Sequence, residues 1–266
     1  MCPDLNLVTK YAKDAGSFRS ETMNAWREQS GNGWNFASLT VIDTARSKTN
    51  PTGMSGGKLV RCFHMRSDIL PTRALLFRKK QYPSEACRHC GAPKETITHL
   101  LGACRSHIAK TQCINRHDRV VKQICRMAEN QKLVVNKEKA LFGREGQRAR
   151  PDAIISGEEI TFIVEVGITT ETLDHTALKR RYIEKRKKYE CQWIKDSMLE
   201  AGLVPQGNRI ILVPIIIGAR GSYLKSIPAE VQMLAHSLKV SSRKLLSCVA
   251  QTTAEMSLLT LDKLLR

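Results

Sequence analysis

Cys87, Cys90, His99 and Cys104 have the residue types and the spacing of a zinc site. Zinc takes four nitrogen or sulfur ligands in a tetrahedron at about 2.0–2.3 Å. The Cys-x2-Cys pair offers two thiolates from one tight loop, and Gly91 just after it lets the chain reverse. His99 and Cys104 then come from a short helical turn, Glu95 to Leu101, and its exit. Three of the nine cysteines and three of the seven histidines crowd into Cys87–His107, which favours a metal over scattered free thiols. His107 competes with Cys104 as the fourth ligand. His89, between the first two cysteines, is expected to point outward.

A second constellation is acidic. Asp152 and Glu165 bracket two apolar stretches that meet at Gly157–Glu158, a pair that suits a two-residue type II′ turn. That turn pairs Ser156 with Glu159, Ile154 with Thr161 and Asp152 with Ile163. Alternation then puts Ala153, Ile155, Ile160, Phe162, Val164, Val166 and Ile168 on a core face. Asp152, Ile154, Thr161, Ile163 and Glu165 share the other face. Glu165 becomes the diagonal neighbour of Asp152, about 7 Å away or less, so both carboxylates can converge on one divalent cation. Magnesium, a hard ion that takes oxygen ligands, is the expected one.

A lysine belongs with such a pair. One helix is expected over about Leu173–Glu200, ended by Gly202. On it Leu178, Tyr182, Tyr189 and Trp193 fall within about 60° of one another, and Lys185 lies about 20° outside that stripe. Lys187 lies nearly opposite, and Lys188 is farther from the stripe than Lys185. The ordinary account of Lys185 is a packed stem with its ammonium in water. The sharper one has it reach the carboxylates to hold a water or a phosphate oxygen.

These groups need strands at Asp152–Ser156, Ile160–Thr169 and Arg209–Ile217, with the long helix between the last two. That order is α/β (α+β): a small mixed sheet with flanking helices. Pro228 opens a further helix and Ser242–Leu265 reads as another. Upstream, Leu59–Arg66 and Thr72–Lys79 read as helical pieces, Leu5–Ala15 as a short helix, and Lys48–Lys58 as a Pro/Gly loop. A basic helix is expected over Arg116 to about Lys132. The expected organisation is a basic, mostly helical segment at 1–83, a zinc knuckle at 84–108, the carboxylate domain at 109–225 and C-terminal helices at 226–266.

The chain has 266 residues, with 43 Lys and Arg against 25 Asp and Glu, a formal charge of +18. That excess argues against an ordinary neutral metabolic enzyme and for a polyanionic partner. Between Arg105 and Arg150 stand twelve basic and four acidic residues. Arg116, Arg119, Lys122 and Arg126 fall on or near one helical face, suited to phosphate contacts. A membrane is not expected: the longest apolar run, Ile210–Ala219, is about half a span and broken by Pro214. No secretory signal is visible, so the cysteines are read as thiols or metal ligands in a reducing compartment, with charge favouring the nucleus.

Pro151 and Asp152, a strand, Glu165 and then a lysine resemble the PD-(D/E)xK nuclease core. In the standard pattern the lysine stands two residues after the second acid, where this chain has Gly167. The wider order of motifs resembles the C-terminal third of site-specific non-LTR retrotransposon polyproteins of the R-two class, over roughly residues 59–225. It runs from RSDILPTR at 66–73 through the Cys/His island and Arg116-His117-Asp118 to Arg150-Pro151-Asp152, Glu165 and the string Lys185, Lys188, Tyr189. The resemblance implies a restriction-like endonuclease whose lysine has moved to the following helix, behind a zinc knuckle. Asp152, Glu165, Lys185 and, in reserve, Lys188 would be catalytic, with magnesium on the two acids. Arg66, Arg73, His117 and Arg150 would join Arg116, Arg119, Lys122 and Arg126 on nucleic acid. The activity implied is nicking of a double-stranded DNA target to prime reverse transcription of the element's RNA. No reverse transcriptase palm is visible, so the chain is expected to be a fragment or truncated copy of such a polyprotein. The competing expectation is a zinc-dependent nucleic-acid-binding remnant without turnover, which Gly167 favours and Lys185 opposes.

Overall fold

The computed structural model describes residues 39–41, 56–171, 176–224 and 226–266. The helix expected over Leu5–Ala15 and most of the loop at 48–58 lie outside them. The elements in order are β1 (Leu39–Val41), α1 (Gly56–Arg66), α2 (Arg73–Arg78), a π-helical turn (His99–Ala103) and α3 (His107–Asn130). There follow β2 (Val134–Lys137), β3 (Leu141–Phe142), β4 (Arg148–Ala149), β5 (Ala153–Ser156) and β6 (Ile160–Thr169). The chain ends with α4 (Thr176–Tyr189), α5 (Gln192–Glu200), β7 (Arg209–Gly218), β8 (Ser222–Leu224), α6 (Ala229–Ser237) and α7 (Ser242–Leu264).

The central sheet is mixed, in the order β2-β5-β6-β7. β2, β5 and β6 are antiparallel neighbours, whereas β6 and β7 run parallel. A parallel pair needs a crossover, and α4 and α5 provide it. Both faces of the sheet are covered. Ala153, Ile155, Phe162, Val164, Val213 and Ile215 pack under α3, α6 and α7, with Val120, Ile124, Val231, Leu234, Leu245 and Val249. On the other side Ile154 and Ile163 meet Tyr189, Ile194 and Met198, and Leu178 meets Ile216. Strands buried on both faces read as continuous Ile/Val runs. Glu165 is therefore an acid flanked on its strand by the buried apolar run Phe162–Val166.

Ser106 and Ser241 cap α3 and α7 by accepting from the amides of Ala109 and Lys244. The single helix expected from 173 to 200 is two. Cys191 is extended (φ −103°, ψ 141°) and separates α4 from α5. Tyr189 closes α4 by turning inward to donate to the Arg150 carbonyl at 3.2 Å.

The hairpin register also differs from expectation. β5 and β6 pair Ser156 with Thr161, Ile154 with Ile163 and Ala153 with Val164. The turn centres on Glu158–Glu159, closed by the Gly157 amide on the Ile160 carbonyl at 2.9 Å. Gly157 is not among the positive-φ glycines, so the II′ turn does not form. Asn208 donates to the Gly157 carbonyl at 3.0 Å and the Arg209 amide to the Glu159 carbonyl at 2.9 Å, which holds the shifted turn in place. The slip of two leaves every side chain on its expected face and brings Asp152 directly opposite Glu165 rather than diagonal to it.

Candidate metal centre and acid–lysine cluster

The Cys/His island has the geometry of a four-ligand site. The ligand atoms of Cys87, Cys90, His99 and Cys104 all lie within 4.8 Å of one another. Cys87 Sγ is 4.0 Å from Cys104 Sγ, and Cys90 Sγ is 3.3 Å from His99 Nε2. Bonds of about 2.0–2.3 Å to a central ion require such separations, so the cluster could hold zinc. The knuckle turns on Gly91 at φ +68° and closes with its amide on the Cys87 carbonyl at 2.9 Å. The Ala92 amide draws the Cys90 thiol down to about 6, towards the thiolate that a metal requires. His107 is exposed at the start of α3 and is not part of the cluster.

His89 does not point outward. It lies 2.7 Å from the Leu264 carbonyl oxygen, and Arg88 donates to the Leu265 carbonyl at 3.2 Å. Two side chains of the knuckle thus satisfy the open carbonyls at the C-terminus of α7, where positive charge is favoured. Arg88 is held by Glu95, fully buried and 2.8 Å away.

The RSDILPTR stretch is built into the fold. Arg66 is buried and donates to the Arg220 carbonyl at 3.2 Å. Asp68 pairs with Arg220 at 2.7 Å, and Arg220 also reaches Thr98 of the island at 3.0 Å. Arg73 donates to the Ala86 carbonyl at 3.2 Å and stacks over Tyr82. The expectation that Arg66 meets nucleic acid is corrected by this burial; Arg66 and Asp68 tie α1 to the turn between β7 and β8, and Arg73 ties α2 to the start of the island.

Arg116 needs the same correction. It is 3% exposed and donates to Ser257 Oγ at 3.0 Å and to the Leu101 carbonyl at 2.9 Å. Arg119, Lys122 and Arg126 are exposed, as expected. Arg116→Ala is therefore expected to cost about 3 kcal/mol of stability, because two buried acceptors lose a charged donor. Urea unfolding of this variant beside Arg119→Ala, expected to match wild type, checks it. Equal midpoints for all three proteins would refute it.

The acids converge. The Asp152 amide donates to Glu165 Oε1 at 3.1 Å, and the Val166 amide to Asp152 Oδ2 at 2.7 Å. Lys185 Nζ lies 2.6 Å from Glu165 Oε2 and 3.8 Å from Asp152 Oδ2. His117 Nε2 lies 3.2 Å from Asp152 Oδ2, so the histidine of the Arg-His-Asp motif faces the acids. Burial, with the Asp152 charge behind it, lifts the Glu165 carboxyl to about 7. Burial also pushes Asp152 up, but the His117 hydrogen bond and the His117 and Lys185 charges overcome it and leave Asp152 below its ordinary value. Lys188 does not reach the acids. It is exposed, with its Nζ 4.8 Å above the Tyr189 ring. Arg150 is exposed beside Glu138, at 3.4 Å.

Gly167 stands where the standard pattern has its lysine. A Cβ there would come within 2.5 Å of Ile216 Cδ1 and 3.1 Å of Arg181 Cγ. The space that a strand lysine would use is filled, and the ammonium arrives from α4 instead. The role of His117 at the acids has no periodic signal in the sequence. Its motif partner Arg116 turns into the core, and only the fold separates the two.

The pair opens beside a cleft of about 280 Å³ whose lining includes Gly102, His117, Thr170, Arg181 and Lys185. Among the described residues no helix is long and apolar enough to cross a membrane.

No protein-family model matches the chain. It is similar to two Popillia japonica proteins, each described as a retrovirus-related Pol polyprotein from type-1 retrotransposable element R2. The first is 25% identical over 195 residues, which are 73% of this chain and 38% of that protein. The second is 24% identical over 230 residues, 84% of this chain and 31% of that protein. The chain thus spans about a third of the length of the curated relatives it matches. A similarity carried over most of this chain, and into polyproteins of one kind, supports a protein derived from a non-LTR retrotransposon.

Proposed function

We propose that this chain is a magnesium-dependent DNA endonuclease of the PD-(D/E)xK kind. It would nick double-stranded target DNA to prime reverse transcription for a retrotransposon, in the nucleus and alongside the reverse transcriptase part of a longer polyprotein. The observation that carries the reading is the pair of part-buried Asp152 and buried Glu165 with the Lys185 ammonium at its mouth, 2.6 Å from Glu165 and 3.8 Å from Asp152. Two carboxylates already facing one positive charge are a suitable donor set for a hard cation. The +18 charge suits a phosphodiester substrate. The knuckle, with zinc bound, would serve as a structural element beside the cleft.

Asp152 and Glu165 would hold the magnesium, which supplies Lewis acidity and a water of lowered pKa. Lys185 lies where it can orient that water or meet a phosphate oxygen as charge develops. His117 and the Val166 amide fix the rotamer of Asp152, so one of its oxygens is already committed before substrate arrives. Tyr189, against the Arg150 carbonyl, anchors the end of α4 that carries Lys185. Gly167 does not by itself argue for a non-catalytic remnant, because Lys185 supplies from the helix the charge that the strand lacks.

Supercoiled plasmid incubated with the protein should become relaxed circles with magnesium and stay supercoiled with EDTA. Lys185→Ala should slow single-turnover nicking at saturating DNA by about 10²–10³-fold, the range for one positioned donor. The exposed Lys187→Ala should change it little. Equal losses from Lys185→Ala and Lys187→Ala would remove Lys185 from the site, and no magnesium-dependent nicking by wild type would overturn the nuclease reading.

A further inference from the structure

The basic stripe of α3 does not face the acid pair. At about 100° per residue, Arg119, Lys122 and Arg126 lie roughly 140–200° around the helix from His117. They line a groove of about 680 Å³ between α1, α3 and α7, with Lys58, Arg61 and Met256. The groove and the cleft beside Lys185 have no lining residue in common. Asp262 neutralises Arg61, and Glu255 accepts from Gln251 at 3.1 Å. Among the described residues Lys58, Arg119, Lys122 and Arg126 carry no ion pair.

We infer that this groove is a second nucleic-acid site, which holds a single-stranded polynucleotide on the side of α3 opposite the acid pair. Four unpaired cations on one concave surface call for a polyanion. The floor, Met256, Leu258 and Leu259, is apolar. A single strand can turn base faces onto such a floor, whereas a duplex keeps them stacked inside. A scissile phosphate at Asp152 and a strand at Lys122 can therefore be held together, one on each side of α3. The proposal relies on the nuclease reading only for what occupies the front.

The test is binding by fluorescence anisotropy with the full chain, in calcium so that DNA is not cut. The probes are labelled oligo(U), oligo(dT) and a short duplex. Wild type should bind a single strand and the duplex at once, without mutual displacement. Arg119→Ser/Lys122→Ser/Arg126→Ser alters only exposed positions. It should weaken single-strand binding at least about tenfold and flatten its log K against log salt slope by about 2, near 0.7 for each phosphate no longer neutralised. Its duplex affinity should stay within about twofold of wild type. A preference between oligo(U) and oligo(dT) identifies the strand as RNA or DNA and supports the site in either case. Full displacement of the single strand by duplex from wild type would overturn the proposal. So would a triple variant that binds both probes as wild type does, or that weakens on both equally. A protein that passes these binding tests but never nicks plasmid would sink the nuclease reading and leave the second site standing.

Discussion

Asp152→Asn and Glu165→Gln proteins should bind duplex DNA at wild-type affinity and leave supercoiled plasmid uncut. Both changes keep side-chain shape and remove one negative charge from a site where two carboxylates would share a divalent ion. Lewis-acid stabilisation of the transition state amounts to several kcal/mol, so the loss should be at least about 10³-fold. Binding should persist because it rests on phosphate contacts outside the acid pair. Asp152 also accepts the Val166 amide at 2.7 Å, a hydrogen bond the asparagine oxygen can keep, so the fold should survive. Nicking and anisotropy in parallel read the two effects separately. Either variant nicking within about tenfold of wild type would remove that acid from the chemistry.

The second large effect concerns zinc. Protein purified without chelator should carry one zinc per chain by elemental analysis. Cys90→Ser, or exhaustive chelation, should unfold the island, since a structural zinc contributes on the order of 10 kcal/mol to a small site. The damage should spread through named neighbours. Ile97, Leu100 and Leu101 share one core with Cys62 and Met65 of α1 and with Leu258, Leu261 and Leu264 of α7. Arg88 and His89 would leave the end of α7, and the Leu101 carbonyl would leave Arg116. Hydrogen exchange should therefore rise at 97–101 and in the last turns of α7 while β6 stays protected. A zinc-free protein with these segments protected would refute the assignment.

What the sequence discloses follows from which forces are local. β6 is expected at Ile160–Thr169 and is found there, because a strand buried on both faces writes itself as an apolar run. α7 is nearly as plain. The hairpin turn is misjudged from sequence because Gly157 suggests a positive φ, whereas the turn is set by Asn208 and Arg209, some fifty residues away. The break between α4 and α5 carries no glycine or proline, since it arises from Tyr189 turning inward to Arg150. β2 escapes notice: four residues with partly exposed side chains give little pattern without their partner β5. In the site, the types and spacing of the four Cys/His residues are sufficient to find the cluster. Helical angle prefers Lys185 to Lys188, and the geometry places only Lys185 at the acids. Sequence does not distinguish Arg66 and Arg116 from surface arginines, because charge says nothing about a buried carbonyl waiting for it.

Gly167 has a consequence for tolerance to change. A lysine on the strand would be locked to the acids by the same ladder of hydrogen bonds. Here the cation and the carboxylates belong to different bodies, a helix and a sheet, and their spacing is inherited from how the two are seated. Leu178 against Ile216 and Arg181 over Gly167 form that seat. A misplacement of about 1 Å can cost 10²-fold in rate. The alignment of Lys185 with the two acids is thus exposed to drift at apolar positions outside the cluster itself.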